Sequence, residues 1–361
     1  MYASNRPPRT QALASPGEDL GRRLSSRSAF GGGICFDPRD AAVHLLRAQN
    51  SDGGWPYVSG QSWTEATALA ILALRAASSS LSQCPHHSEW LAASRRGIDW
   101  LHGVARGDGG FAPSPAVAES TWVTSLALLA LLSPTAEERY EDDPGDSKPA
   151  DPLDPRGRSR RAIAWLLAQK SARTTGFVGF LQRLLNTPGS HPPPGGAPWY
   201  PGTAAWVAPT AWRVFALLRA AALTPDPAIL HAIGQAREFL LLHRLDDGGW
   251  NHGGWYAPTE QVTSYPESTG LALMALCGIA PATLQKSINH AKSVFAQNPS
   301  SLEAWAWLKM SLVAHGQTIA KDSATPAGLP VWTVRDLALG LLAANVSSPD
   351  NVFTSVAAEA I

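Results

Sequence analysis

Arg244-Leu245-Asp246-Asp247-Gly248-Gly249-Trp250 decides the fold, because it recurs. Asp52-Gly53-Gly54-Trp55 is the cleanest copy and Asp108-Gly109-Gly110-Phe111 the second. A third copy reads as degraded to Thr175-Gly176-Phe177, after Gln169. Glycine permits positive φ in such a turn, and the aspartate can accept from nearby backbone N–H groups. Each copy follows a short apolar helical stretch and precedes a second one rich in Ala and Leu. Those second stretches are Thr67-Ala68-Leu69-Ala70-Ile71-Leu72-Ala73-Leu74, Ser125-Leu126-Ala127-Leu128-Leu129-Ala130-Leu131, Thr210-Ala211-Trp212-Arg213-Val214-Phe215-Ala216-Leu217 and Thr269-Gly270-Leu271-Ala272-Leu273-Met274-Ala275-Leu276. The unit is a helical hairpin. One hairpin hides its apolar face only against its neighbours, so the repeat predicts one large domain rather than several.

Working outward, the first hairpin starts at Asp37-Pro38, a cap followed by proline in the first turn, and its second helix runs over about 63–77. Further hairpins read as 89–105 with 118–132, 159–170 with 208–222, 227–243 with 267–279, 282–296 with 301–315, and 332–345 with 350–360. About twelve helices in about six hairpins can close on themselves, which removes exposed terminal repeats. The predicted fold is therefore all-α, an (α/α)6 toroid over 37–361, with insertions at 133–158 and 171–207. The first insertion is acidic and proline-rich and reads as a solvated loop. The second holds Phe177, Phe180, Leu181, Leu184 and Leu185 at helical spacing. It reads as a plug on the rim, or as a membrane-facing lip giving peripheral membrane contact. Residues 1–36 read as a disordered tail without the apolar stretch of a signal peptide.

Composition narrows the function. The apolar fraction is 45% and the charged fraction 16%, against roughly 25% charged in an ordinary chain. Net charge is zero, so no basic footprint for nucleic acid exists. Cys35, Cys84 and Cys277 form no disulfide framework and suit a reducing, cytoplasmic setting. Fourteen tryptophans exceed what a core needs, so some are expected to line a cavity.

The first-helix pattern runs His44-Leu45 to Gln49 to Trp55, then Trp100-Leu101 to Ala105 to Phe111, then Phe239-Leu240 to Arg244 to Trp250. This resembles the Gln-Trp repeat of squalene-hopene and oxidosqualene cyclases, shared more loosely with protein prenyltransferase β-subunits, over about 38–315. The resemblance implies the toroid, a linear isoprenoid as the hydrophobic partner, and glutamines that tie neighbouring turns, for which Gln49 and Gln169 fit here. Members are usually two-domain proteins, so a homodimer or a second toroid domain is an expected partner.

In the cyclases that this chain resembles, an Asp-x-Asp-Asp-Thr-Ala motif at the start of an inner helix supplies the acid. Protonating an alkene takes a neutral acid in a dry pocket, and the cations that follow need aromatic faces. The chain has no Asp-x-Asp-Asp. Aligned on Thr-Ala, Glu65 and Glu267 fall on the central acid, Glu303 takes that place in the fifth hairpin, and Glu119 lies about one turn out of register. The candidate acids are Glu267, Glu65 and Glu119; a glutamate in a first turn also serves the macrodipole alone. Trp63, Trp122, Trp206, Trp212, Tyr265 and Trp305 are the candidate aromatic lining. No metal or other cofactor is expected: Cys277 has Ala275 where the prenyltransferase zinc site carries Asp, and Cys84-Pro85-His86-His87 has no second ligand pair. Three functions follow: a protonation-initiated terpene cyclase, a non-catalytic isoprenoid or lipid binder, and a carbohydrate-active toroid with paired carboxylates.

Overall fold

One set of hydrogen bonds recurs with the glycine turn. In the first copy Asp52 Oδ1 accepts from Gly54 N at 3.0 Å and from Ser62 Oγ at 2.8 Å. The Trp55 backbone N–H donates to Thr67 Oγ1 at 2.8 Å, and its indole donates to Leu45 O at 2.7 Å. Asp108, Ser120 and Thr124 do the same around Phe111, and Asp247, Ser264 and Thr269 around Trp250. The threonine thus stands within the first turn of the following helix.

The computed structural model describes residues 38–80, 84, 86–135, 157–169, 195–253, 262–319, 329 and 331–359. Its helices are α1 (Pro38–Ala48), α2 (Thr64–Ser80), α3 (His87–Val104), α4 (Val123–Leu131), α5 (Ser159–Ala168), α6 (Val207–Leu223), α7 (Pro227–Leu242), α8 (Pro266–Ala275), α9 (Pro281–Ala296), α10 (Leu302–Ala314), α11 (Val334–Ala344) and α12 (Val352–Glu359). Strands β1 (Ala197–Pro198) and β2 (Ala205–Trp206) pair antiparallel ahead of α6. Helices α2, α4, α6, α8, α10 and α11 pack in that order and return to α2 as a closed inner ring. Helices α1, α3, α5, α7 and α9 lie outside it. The inner helices are buried almost all round, α2 without a break from Thr64 to Ser78, whereas α3 buries one stripe through Trp90, Ala93, Gly97, Trp100 and Leu101. The α/α toroid stands.

Two sequence expectations need correction. The third turn is Gly195-Gly196-Ala197: Gly195 has φ +98, and Ala197 N donates to Thr210 Oγ1 at 2.8 Å, matching the other copies. The insertion therefore precedes the turn. Thr175-Gly176-Phe177 and the apolar stretch after it lie outside the described residues, as do the tail and most of the acidic insertion. The last pair is also not a hairpin of the double ring. Its first helix, α11, joins the inner ring, but α12 turns into the lumen against α6, α8 and α10. Asn351 holds that reversal by donating to Leu342 O at 2.9 Å and Asn345 O at 3.2 Å.

Each turn locks two repeats together. At Gly53, φ is +92 and an added Cβ would sit 2.6 Å from Arg96 O on α3, so the turn lies directly on the next outer helix. The turns at Gly109, Gly195 and Gly248 meet Arg161, Gln235 and Lys286 in the same way. Gln49 adds a tie, donating to Ala93 O at 2.9 Å, and Arg244 replaces it in the fourth repeat by donating to Thr283 O at 2.7 Å. Beyond the turn, a loop carbonyl caps the preceding inner helix: Pro113 O accepts from Thr64 N, and His252 O from Val207 N. Tyr57 O accepts from Val334 N at 2.7 Å, joining the first repeat to α11 and closing the ring. At the other end Arg75 donates to Ala130 O and Arg219 to Leu132 O, placing cations on the carbonyl end of α4.

The lumen is a packed core. Trp212 and Phe215 on α6 reach across to Trp307 on α10, with Trp212–Trp307 ring centroids 5.2 Å apart. Phe353 of α12 enters this cluster at 5.2 Å from Trp307 and 5.3 Å from Phe215.

Two substitutions separate the docking contact from backbone strain. Gly53→Ala meets both a forbidden φ and a backbone carbonyl, whereas Gly60, with φ +87, has open space around it. Chemical denaturation should show a loss of about 3 kcal/mol for Gly53→Ala and about 1 kcal/mol for Gly60→Ala. Equal losses would remove the docking contact from the account.

Candidate functional site

Six inner helices start on one face of the ring, and the residues at those starts form its mouth: the second residue in five of them and the N-cap residue Trp122 in α4. Taken round the ring from α11, these are Arg335, Glu65, Trp122, Ala208, Glu267 and Glu303. The threonine register places Trp122, not Glu119, beside Glu65: each lies two residues ahead of a threonine that holds a turn. Glu119 sits exposed in the preceding loop, outside this layer. The mouth thus has an acidic arc from Glu267 through Glu303 and Arg335 to Glu65, and an aromatic arc at Trp122.

Arg335 links two of the predicted acids. Its Nε donates to Glu65 Oε1 at 2.7 Å and its Nη1 to Glu303 Oε2 at 2.7 Å, while Nη2 also bonds Glu303. The Glu65 side chain is 10% exposed and that of Arg335 24%. Burial works against the Arg335 charge, but the two carboxylates outweigh it and hold its pKa above the ordinary value. The other oxygen of Glu65 accepts from the Tyr57 hydroxyl. Burial first, then the Glu65 charge and hydrogen bond, raise the Tyr57 pKa, so the phenol stays a donor. Both oxygens of Glu65 are therefore engaged. Glu267 is half-buried and has no hydrogen-bond or ion-pair partner among the described residues.

The aromatic candidates divide. Trp122 packs edge-on to Trp199 at 4.8 Å and lies 6.3 Å from Trp212, so these three form one cluster running from the mouth into the lumen. Trp63 lies against Tyr57 at 5.4 Å, and Tyr265 against His252 at 4.7 Å, at the entrance. Trp206 is half-buried in β2, ahead of α6. Trp305 stands apart from the lumen: it lies two residues before Trp307, about 200° round the helix, and takes the Lys309 ammonium at 4.7 Å from its ring centroid.

The sequence reading does not single out Arg335, Tyr57 or Phe353. Arg335 did leave a signal. A cation in a first turn opposes the helix dipole and calls for an acid nearby. The Thr333–Asp336 capping box fixes the helix start and so marks Arg335 as a first-turn residue.

No family model matches the chain. Over 258 residues it is 24% identical to a probable squalene–hopene cyclase of Sinorhizobium fredii, a match taking in 68% of this chain and 36% of that protein. The chain thus spans about a third of the relative's length. Among solved structures it resembles a family 76 glycoside hydrolase from a bovine Bacteroides thetaiotaomicron strain, with TM-score 0.57 and 9% identity over 89% of this chain and 77% of that one. It also resembles an α-1,6-mannanase of Salegentibacter sp. HEL1_6 bound to α-1,6-mannotriose, with TM-score 0.55 and 11% identity over 87% of this chain and 100% of that one. At such identities the likeness shows a shared helical toroid.

The Arg335 bridge should be a stability element. Arg335→Met strands two carboxylates and is expected to cost about 2–4 kcal/mol in denaturant titrations. Adding Glu65→Leu and Glu303→Leu should return most of that loss, because no charge is then left unpaired. A triple variant as unstable as Arg335→Met would overturn the assignment.

Proposed function

We propose that the chain binds an uncharged isoprenoid at the mouth of the ring, as a binding toroid related to the terpenoid cyclases. The observation that carries this reading is the Trp122–Trp199–Trp212 cluster, which runs from the mouth to a filled lumen. Aromatic faces suit a polyene. Val58, Tyr200, Tyr265, Val331 and Trp332 are exposed in the loops leading into the inner helices, which gives an apolar ligand an apolar approach. A diphosphate fits poorly. All three Arg335 nitrogens are directed to carboxylates, and the acidic arc repels a polyanion.

Binding is favoured over protonation at Glu65. A general acid must present its proton to the substrate, and both Glu65 oxygens are turned to Arg335 and Tyr57. Glu267 is the remaining carboxyl of the layer that is placed to act on a bound alkene. A carbohydrate-cleaving reading needs an acid and a base together, and Glu65 and Glu303 are tied to one guanidinium.

The test is incubation with squalene, farnesyl diphosphate and geranylgeranyl diphosphate, read by melting temperature and by gas chromatography–mass spectrometry of the extract. Squalene should raise the melting temperature and the diphosphates should not. Trp122→Ala should weaken binding roughly 5–20-fold, the loss of one aromatic contact. Tighter binding of a diphosphate overturns the proposal. A cyclic product that Glu267→Gln abolishes would make the ring a cyclase and name its acid.

A further inference from the structure

Arg213 breaks the repeat. The residue three places after the turn-binding threonine is Ala70 in α2, Ala127 in α4 and Ala272 in α8, each fully buried. The same place in α6 is Arg213, and it is 5% exposed. An alanine there lets inner and outer helices close on each other; an arginine holds them apart.

The space it opens lies between α4, α5 and α6. Arg213 lines it together with Trp122 and Ser125 of α4, Trp165 of α5, Gln169 beyond α5, and Pro198 of β1. Among the described residues, nothing in this lining carries negative charge. Arg213 Nε has no hydrogen-bond partner, and Arg213 forms no ion pair among the described residues. Burial alone lowers its pKa to about 10, which leaves it cationic at neutral pH. The other buried arginines among the described residues differ in this respect: Arg75 and Arg219 bond the carbonyls of Ala130 and Leu132 at the end of α4. A buried cation without a counter-charge is strongly unfavourable.

We propose that this pocket is a site for a single-atom anion of halide size, with the Arg213 guanidinium as its counter-charge. The Ser125 hydroxyl and the Gln169 amide are the further donors on its wall. The free space is about 10 Å³, room for one water-sized particle. Gln169 is only half-buried and can yield the little extra that chloride needs, whereas phosphate, sulfate or a carboxylate group is too large. The ion would join α4 of the second repeat to α5 and α6 of the third. The proposal does not depend on what the mouth binds.

The melting temperature of the full chain, measured at constant ionic strength as sodium gluconate is exchanged for sodium chloride or bromide, tests it. The halides should raise the transition by roughly 2–4 °C, and gluconate, too large to enter, should not. Arg213→Met should lose the dependence. Gln169→Glu supplies an internal carboxylate, so it should raise the transition in gluconate and abolish the halide effect, and it serves should Arg213→Met fail to fold. Bromide-soaked crystals should show their anomalous peak beside Arg213. A transition indifferent to halide, an Arg213→Met protein that keeps the dependence, or bromide bound only elsewhere overturns the site.

Discussion

The ring depends on the backbone N–H that follows each glycine pair and on the threonine hydroxyl that accepts it. This bond ties the end of an outer helix to a fixed point in the first turn of the next inner helix. Both sides of the turn are then committed. Its glycine lies on the outer helix of the following repeat, and its trailing carbonyl caps the inner helix of the preceding one. A turn therefore positions two helices besides the two of its own hairpin. The same bond made by Tyr57 to α11 closes the circle without a special closing element.

A closed ring of six helices surrounds a space that something must fill. At the level of Trp212 and Trp307 the aromatic rings meet across it, and α12 brings Phe353 against both. Burial of such large side chains stabilises the ring strongly, and it confines ligand chemistry to the layer above. The character of that layer follows from a single register. The residue at the start of each inner helix, the second in five and the N-cap Trp122 in α4, lies at the mouth, so that position sets its polarity.

The toroid was legible because the turn, the alternation of helix types and the spacing of threonines all repeat. Glu65, Glu267 and Glu303 share one register, as their distance from the helix start implied. What could not be read was a relation between repeats that are distant in sequence. Glu65 and Arg335 are 270 residues apart, and only ring closure brings them together. The third turn was misplaced because Phe177 looked like the aromatic that closes the motif, whereas the turn at Gly195-Gly196 closes on Ala197. A small residue suffices there because the threonine binds the backbone rather than the ring. Trp305 was grouped with the lining because counting tryptophans does not give their phase, and Trp307, two residues on, has the inward phase.

Repeats also show where a sequence has been diverted from packing. Three turns rest on an aromatic side chain of the next outer helix, Trp100, Trp165 or Phe239, and the fourth meets His290, whose Nε2 lies 2.9 Å from Ser264 Oγ. Trp122 replaces a first-turn glutamate, Arg335 reverses the charge of that position, and Arg213 replaces a buried alanine. Trp122 and Arg213 line one pocket between the second and third repeats, and Trp122 also borders the mouth. A substitution that costs packing persists only where another interaction offsets it. The interface that departs furthest from the repeat is therefore the part of the ring whose chemistry is specific to this chain, and the regular remainder is the frame that holds it.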